Sequence, residues 1–280
     1  MNPGFKRIIS VDIGGTKTKA AEIVNGRIVS LIEEKTPSRA GKKQFTKFVF
    51  SLIEPSFSKN VDAICIGMPS LIVDGKAIES PNVKALNGFE IQKIVSKKFG
   101  KKVFVSNDAK CFALGEKYFG EARKYTDAIC ITLGTGIGAG AIINGKVYFG
   151  KDCGASEIGR IPYLGSELED YCSAKFFSRK GISSKNMLDK NFKVKNKRLF
   201  EEFGKHMGVA LAIVIDVYNP EAVIFGGGIS NDFELFKKEM IASAKKYSYK
   251  KSMLSAKIIR SKNINSALLG ASMLPVEGCK

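Results

Sequence analysis

Histidine occurs once in this 280-residue chain, and acidic residues are scarce beside basic ones: 27 Asp and Glu against 45 Lys and Arg. The single histidine, His206, falls inside a predicted helix, where a structural or surface role is expected ahead of chemistry. Cysteine offers no metal motif either. Cys65, Cys111, Cys130, Cys153, Cys172 and Cys279 are scattered without a CxxC pair. Several lie in apolar runs such as AICIG and AICIT, where a thiol packs as a small hydrophobe. This usage predicts a reducing compartment and no structural zinc. Long apolar runs are missing too. The best, Val209 to Val217, is broken by Asp216, so no membrane span is expected. The polar start, Met1 to Arg7, and the short apolar stretch that Gly14-Gly15 ends lack the form of a secretory signal.

The formal charge of +18 raises the question of nucleic acid. Lysines are spread over the whole chain, densest between Lys175 and Lys205. There is no zinc finger, no RNP-like aromatic motif and no helix-turn-helix pattern. The charge therefore reads as a solvated surface that also attracts an anionic ligand, and no specific nucleic-acid partner is expected.

What the chain does have is alternation of strand and helix signals. Arg7–Ile13, Thr18–Ile23 and Arg27–Glu33 read as strands, the last two joined by an Asn25-Gly26 hairpin turn. A helix over 44–52, the strand Ala63–Gly67, a helix over 90–99, the strand Val103–Ser106 and a helix over 109–118 follow. The pattern then restarts. Ala128–Leu133 is a strand, with a glycine-rich turn, another apolar strand and a second hairpin at Asn144-Gly145. Helices over 199–218 and 232–246 flank the strand Ala222–Phe225; the strand Lys257–Arg260 and a helix over 267–273 close the chain. The shared outline of the two segments suggests structural duplication, and two α/β domains with a cleft between them are the natural architecture.

Three glycine-rich turns carry the chemistry. In VDIGGTKT, Asp12 ends a buried strand, and Gly14, Gly15 and Thr16, with Lys17 beside them, form a loop whose bare amides and hydroxyl suit phosphate oxygens. Asp12 faces the same place and is suited to Mg²⁺ through water. Standing alone, the loop would read as a plain hairpin. The second, LGTGIGAG, holds Gly134, Thr135, Gly136 and Gly138 and matches GxGxxA. A dinucleotide fingerprint requires a helix next, whereas AIINGKVYF reads as a hairpin, so a second phosphate cradle is expected. The third run, Gly226-Gly227-Gly228, follows the strand AVIF and lets a base or ribose lie close.

In this order, and with GMPS, SPN, SNDAKCFALGE, GASEIGR, LEDYCSA and NPEAVIFGGGIS between and after them, the motifs resemble the ROK family of sugar kinases and sugar-responsive repressors along nearly the whole chain. The resemblance implies the α/β actin-like ATPase (ribonuclease H-like) fold. It implies a smaller domain over 1–112, completed by a helix over 265–280, and a larger one over 113–264, with ATP and sugar in the cleft. It makes Asp108 of the NDA motif the general base, and Asn82, Asn107, Asp108, Glu157 and Glu169 the sugar contacts. Read without the family, Asn107-Asp108 would cap a helix, and Glu157 and Glu169 would be surface charges.

The chain departs from the family where GExGH becomes SEIGR. Ser156 replaces a Gly, and Arg160 replaces a His that contacts sugar and ligates zinc beside a Cys cluster; no zinc is expected here. Ser70 and Ala174 also replace glycines. Arg160 has three open roles: donor to neutral hydroxyls, bidentate partner of an acidic sugar, or partner of a nearby Glu.

The expected activity is ATP- and Mg²⁺-dependent phosphorylation of a hexose hydroxyl, by family analogy the 6-OH of glucose or a related hexose. N-acetylglucosamine or N-acetylmannosamine is the rival substrate, and a sugar-sensing regulator or an actin-like assembly ATPase the rival class. An intact Asp108 and a start close to the first strand speak against the regulator. A cytoplasmic homodimer with no membrane partner is expected by analogy.

Overall fold

The computed structural model describes residues 5–277, apart from the side chain of Ser184, so Cys279 and the last three residues of the expected closing helix lie outside the described residues. The chain divides into two compact units. Unit 1 comprises residues 1–123, 140–155 and 265–280; unit 2 comprises 124–139 and 156–264.

Unit 1 is built on β1 (Arg7–Ile13), β2 (Lys17–Val24), β3 (Arg27–Lys35), β4 (Ala63–Met68) and β7 (Lys102–Asn107), with a small ribbon of β5 (Leu71–Val73) and β6 (Lys76–Glu79). The main sheet has the order β3-β2-β1-β4-β7. β1 pairs antiparallel with β2 and parallel with β4, and β4 pairs parallel with β7. β4 is buried at every residue, as a continuous apolar run flanked by parallel neighbours should be. Ile9, Val11, Ile64 and Ile66 pack with Phe45, Val49 and Val95 of the covering helices in one apolar core.

Asn25-Gly26, Asp74-Gly75 and Asn144-Gly145 each place both residues at positive φ, the demand of a tight hairpin turn.

The remaining strands are β8 (Ala128–Leu133), β9 (Ile137–Ile143), β10 (Lys146–Tyr148), β11 (Pro162–Tyr163), β12 (Ser166–Glu167), β13 (Ala222–Gly226) and β14 (Lys257–Arg260). β11 and β12 form a separate ribbon, and the others make a sheet of order β10-β9-β8-β13-β14. That order repeats the first sheet strand for strand, as the duplicated outline of the sequence suggests. The chain passes from unit 2 to unit 1 within β9. In unit 2, Phe176, Phe177, Phe200, Phe203, Phe233 and Phe236 form a continuous aromatic cluster, as in the Phe177–Phe203 centroid separation of 5.0 Å.

Each unit closes a helix pair through glycine. In unit 1 the helices Asp108–Phe119 and Ser266–Ala271 meet so closely that a Cβ on Gly270 would lie 1.8 Å from the Cys111 carbonyl oxygen. In unit 2 a Cβ on Gly204, in the helix Lys197–Tyr218, would lie 2.5 Å from the carbonyl oxygen of Phe236 in the helix Phe233–Ala244. Only glycine fits such approaches in an interior packed at crystal density.

Both sheets are mixed and flanked by helices, so the chain has the two-domain α/β architecture expected of the actin-like ATPase fold. The uniform reading of the cysteines needs correction. Cys65, Cys111, Cys130 and Cys172 are free, but Cys153 is disulfide-bonded.

Candidate active site

In unit 1 the candidate residues collect where parallel strands end. Asp12 on β1 pairs with Gly67 on β4, and Gly67 pairs with Ser106 on β7, one residue before Asn107. Carboxyl ends of parallel strands are where open α/β sheets bind ligands. Asn107 supplies the cap of the following helix: its Oδ1 accepts from the amides of Ala109 at 3.0 Å and Lys110 at 3.3 Å. Its Nδ2 donates to the Ser70 carbonyl at 3.4 Å. Asp108, the first helical residue, shares this task, since its Oδ1 also accepts from the Ala109 amide at 2.9 Å. Gly67 keeps this corner narrow; a Cβ there would meet Cys111 Sγ at 3.0 Å. Burial, then the carboxylates of Asp12 and Asp108, push the Cys111 thiol well above its usual range, so both acids act on one locality.

The Gly14–Thr16 loop is fixed from the residue that follows β3. The Gly14 amide donates to the Lys17 carbonyl at 2.9 Å, and the Thr36 amide to the Thr16 carbonyl at 2.9 Å. Thr36 Oγ1 donates to the Gly14 carbonyl at 2.8 Å and lies 2.8 Å from Thr18 Oγ1. Lys17 pairs its ammonium with Glu33 on β3. Although Asp12 reaches solvent at its edge, burial is the main influence on its carboxyl and pushes it to about 6, against the opposing pull of Lys19. A hard oxygen donor held in so unfavourable an anionic state fits a cation such as Mg²⁺. Asn82 is partly buried and precedes the short turn Lys84–Leu86.

In unit 2 the ends of β8 and β13 bring the other two glycine runs together. Gly226 pairs with Thr132, and a Cβ on Gly227 would lie 2.4 Å from the Leu133 carbonyl oxygen. Gly227, at φ +83°, is thus required by its own surroundings. Gly134 and Gly228 are not: a Cβ on either would meet nothing within 4 Å, and neither has positive φ. Open space over a glycine is what a backbone cradle for phosphate or ribose requires.

The candidate sugar contacts of unit 2 sit on one segment. Glu157 and Arg160 are exposed at the two ends of a short turn, and the Arg160 Nε lies 3.7 Å from Glu167 Oε1 on β12. Of its three open roles, the structure displays the pairing with a nearby Glu. Ser156, standing where the family has glycine, has φ +64°, so the backbone keeps a glycine-like conformation. Glu169 is mostly buried: its Oε2 accepts from the Ile137 amide at 3.2 Å, and its Oε1 lies 2.6 Å from Lys175 Nζ. His206 is half-buried among Tyr163, Tyr171 and Phe176, with Nδ1 3.0 Å from the Tyr163 hydroxyl. Among the described residues, no group of three or more His, Cys, Asp or Glu side chains is placed to hold a metal ion.

Sequence reasoning missed two residues. Thr36 holds the first loop and Lys175 holds Glu169. Neither lies in a glycine run or a periodic pattern, so only the fold reveals them. No helix among the described residues is long and apolar enough to cross a membrane.

The ROK family model matches residues 8–277. A glucokinase of Thermotoga maritima is 30% identical, with 82% of this chain and 84% of that protein covered. A xylose repressor of Caldicellulosiruptor bescii is 27% identical over 86% of this chain and 70% of that protein. An N-acetyl-D-glucosamine kinase of Haemophilus influenzae is 26% identical over 79% of this chain and 84% of that protein. Among solved structures, a ROK family glucokinase from Streptomyces griseus in complex with glucose and AMPPNP superposes with a TM-score of 0.82 at 25% identity, covering 96% of this chain and 98% of that one.

Proposed function

The chain belongs to the ROK family, and from that premise we propose that it is an ATP-dependent sugar kinase acting on the 6-OH of glucose or a related hexose. The observation that carries the reading is the pair at the end of β7. Asn107 accepts from the Ala109 and Lys110 amides and Asp108 from the Ala109 amide, so the helix start fixes both side chains at the end of β7, and the Asp108 carboxylate acts on the same Cys111 locality as Asp12.

Phosphoryl transfer needs position and charge neutralisation more than covalent help from the protein. Asp108 takes the proton of the attacking sugar hydroxyl. The new bond forms between that oxygen and the γ-phosphorus, the bond to the β–γ bridging oxygen breaks, and ADP leaves. Gly15 and Thr16 of the first loop, and Thr135, Gly136 and Gly138 of the second, would offer backbone and hydroxyl donors to the phosphates, while the Gly14 and Gly134 amides close their own turns on the Lys17 and Gly136 carbonyls. Gly228, with open space over its backbone, leaves room for base or ribose, and Gly227 serves the close approach to Leu133. Asp12 would hold Mg²⁺ through water, and the ion when bound would offset phosphate charge. Lys17, engaged by Glu33, contributes positive potential at the loop rather than a fixed contact. Asn82, Asn107, Glu157 and Glu169 supply amide and carboxylate partners for paired hydroxyls. Arg160 shapes its segment through Glu167.

The relatives favour two substrates: glucose, and as a second reading an N-acetylated hexosamine. The repressor among them keeps a regulator in view. A cytoplasmic homodimer without zinc, nucleic-acid or membrane partners completes the proposal. The test is ADP release from Mg-ATP over glucose, mannose, fructose, glucosamine, the N-acetylhexosamines and several sugar acids. Release that depends on one of these sugars is expected. Release independent of sugar would replace the reading with an ATPase, and sugar binding without turnover would replace it with a regulator.

A further inference from the structure

This inference rests on the sugar-kinase reading and deepens it at one carboxylate. We propose that Lys175 is a positioning residue that clamps Glu169 onto the second phosphate loop, so that the side chain expected to read the sugar and the loop expected to hold phosphate form one mechanical piece.

The contacts lie within unit 2. Glu169, with a side chain 14% exposed, opens the short helix Glu169–Cys172. Its two oxygens have different partners: Oε2 accepts from the amide of Ile137, which stands between Gly136 and Gly138, and Oε1 meets the Lys175 ammonium at 2.6 Å. The same segment grips the loop a second time, since the Ala174 amide donates to the Gly134 carbonyl at 2.9 Å. Gly159 packs into the joint, where a Cβ would lie 2.8 Å from the Ile137 carbonyl oxygen and 3.5 Å from Glu169 Cβ. Glu169 and Ala174 thus hold the loop at Ile137 and at Gly134.

Lys175 is placed for this task. Its amide donates to Ser173 Oγ at 3.1 Å, which fixes the backbone from which the side chain starts. The neighbouring acid, Asp170, lies 3.6 Å from Lys175 Nζ but is already engaged by the Ser166 hydroxyl and by Arg179 at 2.8 Å. The closer charge partner of Lys175 is therefore Glu169. A carboxylate has about four lone-pair directions; with one used by an amide and one by an ammonium, those left for sugar hydroxyls are fixed in space. Without the ammonium, a mostly buried carboxylate would turn toward water and loosen its hold on the Ile137 amide.

The experiment compares Lys175→Met, Lys175→Arg and Glu169→Gln with the parent, and uses Lys180→Met, which removes an exposed pair with Glu202, as the control. Two readouts are taken: amide hydrogen exchange of the segment containing Ile137 in ligand-free protein, and steady-state KM values for sugar and Mg-ATP with kcat. Lys175→Met should speed exchange at the loop and raise the sugar KM by about tenfold, the loss of one charged hydrogen bond. It should also raise the Mg-ATP KM severalfold and leave kcat nearly unchanged, because position rather than proton transfer is affected. Lys175→Arg should restore most of both effects; Glu169→Gln should reproduce the faster exchange. Unchanged exchange at Ile137 in Lys175→Met overturns the clamp, as does altered exchange with both KM values intact in an active enzyme. Should no sugar be turned over by the parent, the kinase reading falls while the exchange measurement still decides the clamp.

Discussion

Replacing Asp12 with Asn should make the ligand-free protein more stable while removing activity. Burial holds the Asp12 carboxyl at about 6, against an ordinary value of 3.8. The native state therefore binds this proton more tightly than the unfolded chain does. The resulting stability is complete below about pH 3.8 and is lost as pH rises through about 6. Near pH 8, the ionised carboxylate then costs about 3 kcal/mol relative to a neutral group, at 1.36 kcal/mol per unit. An amide of the same shape avoids that cost, and Lys19 keeps its 2.9 Å bond to Asn265. At roughly 2–4 °C per kcal/mol, the variant should melt about 5–10 °C above the parent near pH 8, without nucleotide or Mg²⁺. Near pH 5, where most of the parent carboxyl is already protonated, the gain should fall to about half. Thermal melts by circular dichroism at the two pH values, with turnover measured alongside, are the assay. A variant less stable than the parent near pH 8, or a gain independent of pH, would refute the reasoning.

Three further outcomes concern packing and titration. Gly270→Ala would drive a Cβ to within 1.8 Å of the Cys111 carbonyl and should cost about 3 kcal/mol or more, read from urea unfolding. Ser106 Oγ is buried with no hydrogen-bond partner, so Ser106→Ala should be neutral or raise stability by up to about 1 kcal/mol in the same assay. Burial, with Lys180, lowers the His206 pKa against the opposing influence of Glu202. Its contribution is present above the ordinary 6.5 and is lost as pH falls through the lower folded value. His206→Phe keeps a ring beside Tyr171 and Phe176 but loses the Tyr163 bond, so its deficit of about 1 kcal/mol near pH 8 should shrink near pH 5.

The long elements were legible because they are periodic. β1, β8 and β14 have the bounds their apolar runs suggested, and the helix Lys197–Tyr218 adds two residues to the expected span. The ribbon of β5 and β6 escaped notice although Asp74-Gly75 between apolar residues marks it, because its strands are only three and four residues long. The short helices over 169–195 and 250–255 lack the length for a period to emerge. Site residues divide in the same way. Glycine runs mark candidate loops in the local sequence, and the order of the three loops, with the motifs between them, was needed to read them as phosphate sites. Asp108 needed the NDA motif in its family context, because the strand-to-helix junction alone reads as a cap, and Lys175 and Thr36 needed the fold, because a lysine or threonine outside any motif leaves no local trace of what it holds.

The most direct test of the central claim is sugar-dependent ADP release by the parent and by Asp108→Asn, with Mg-ATP binding measured on both by calorimetry. The account predicts that the parent releases ADP only with sugar present, and that the variant loses kcat by about a hundredfold or more while binding Mg-ATP nearly as before. Near-normal turnover in Asp108→Asn would contradict it.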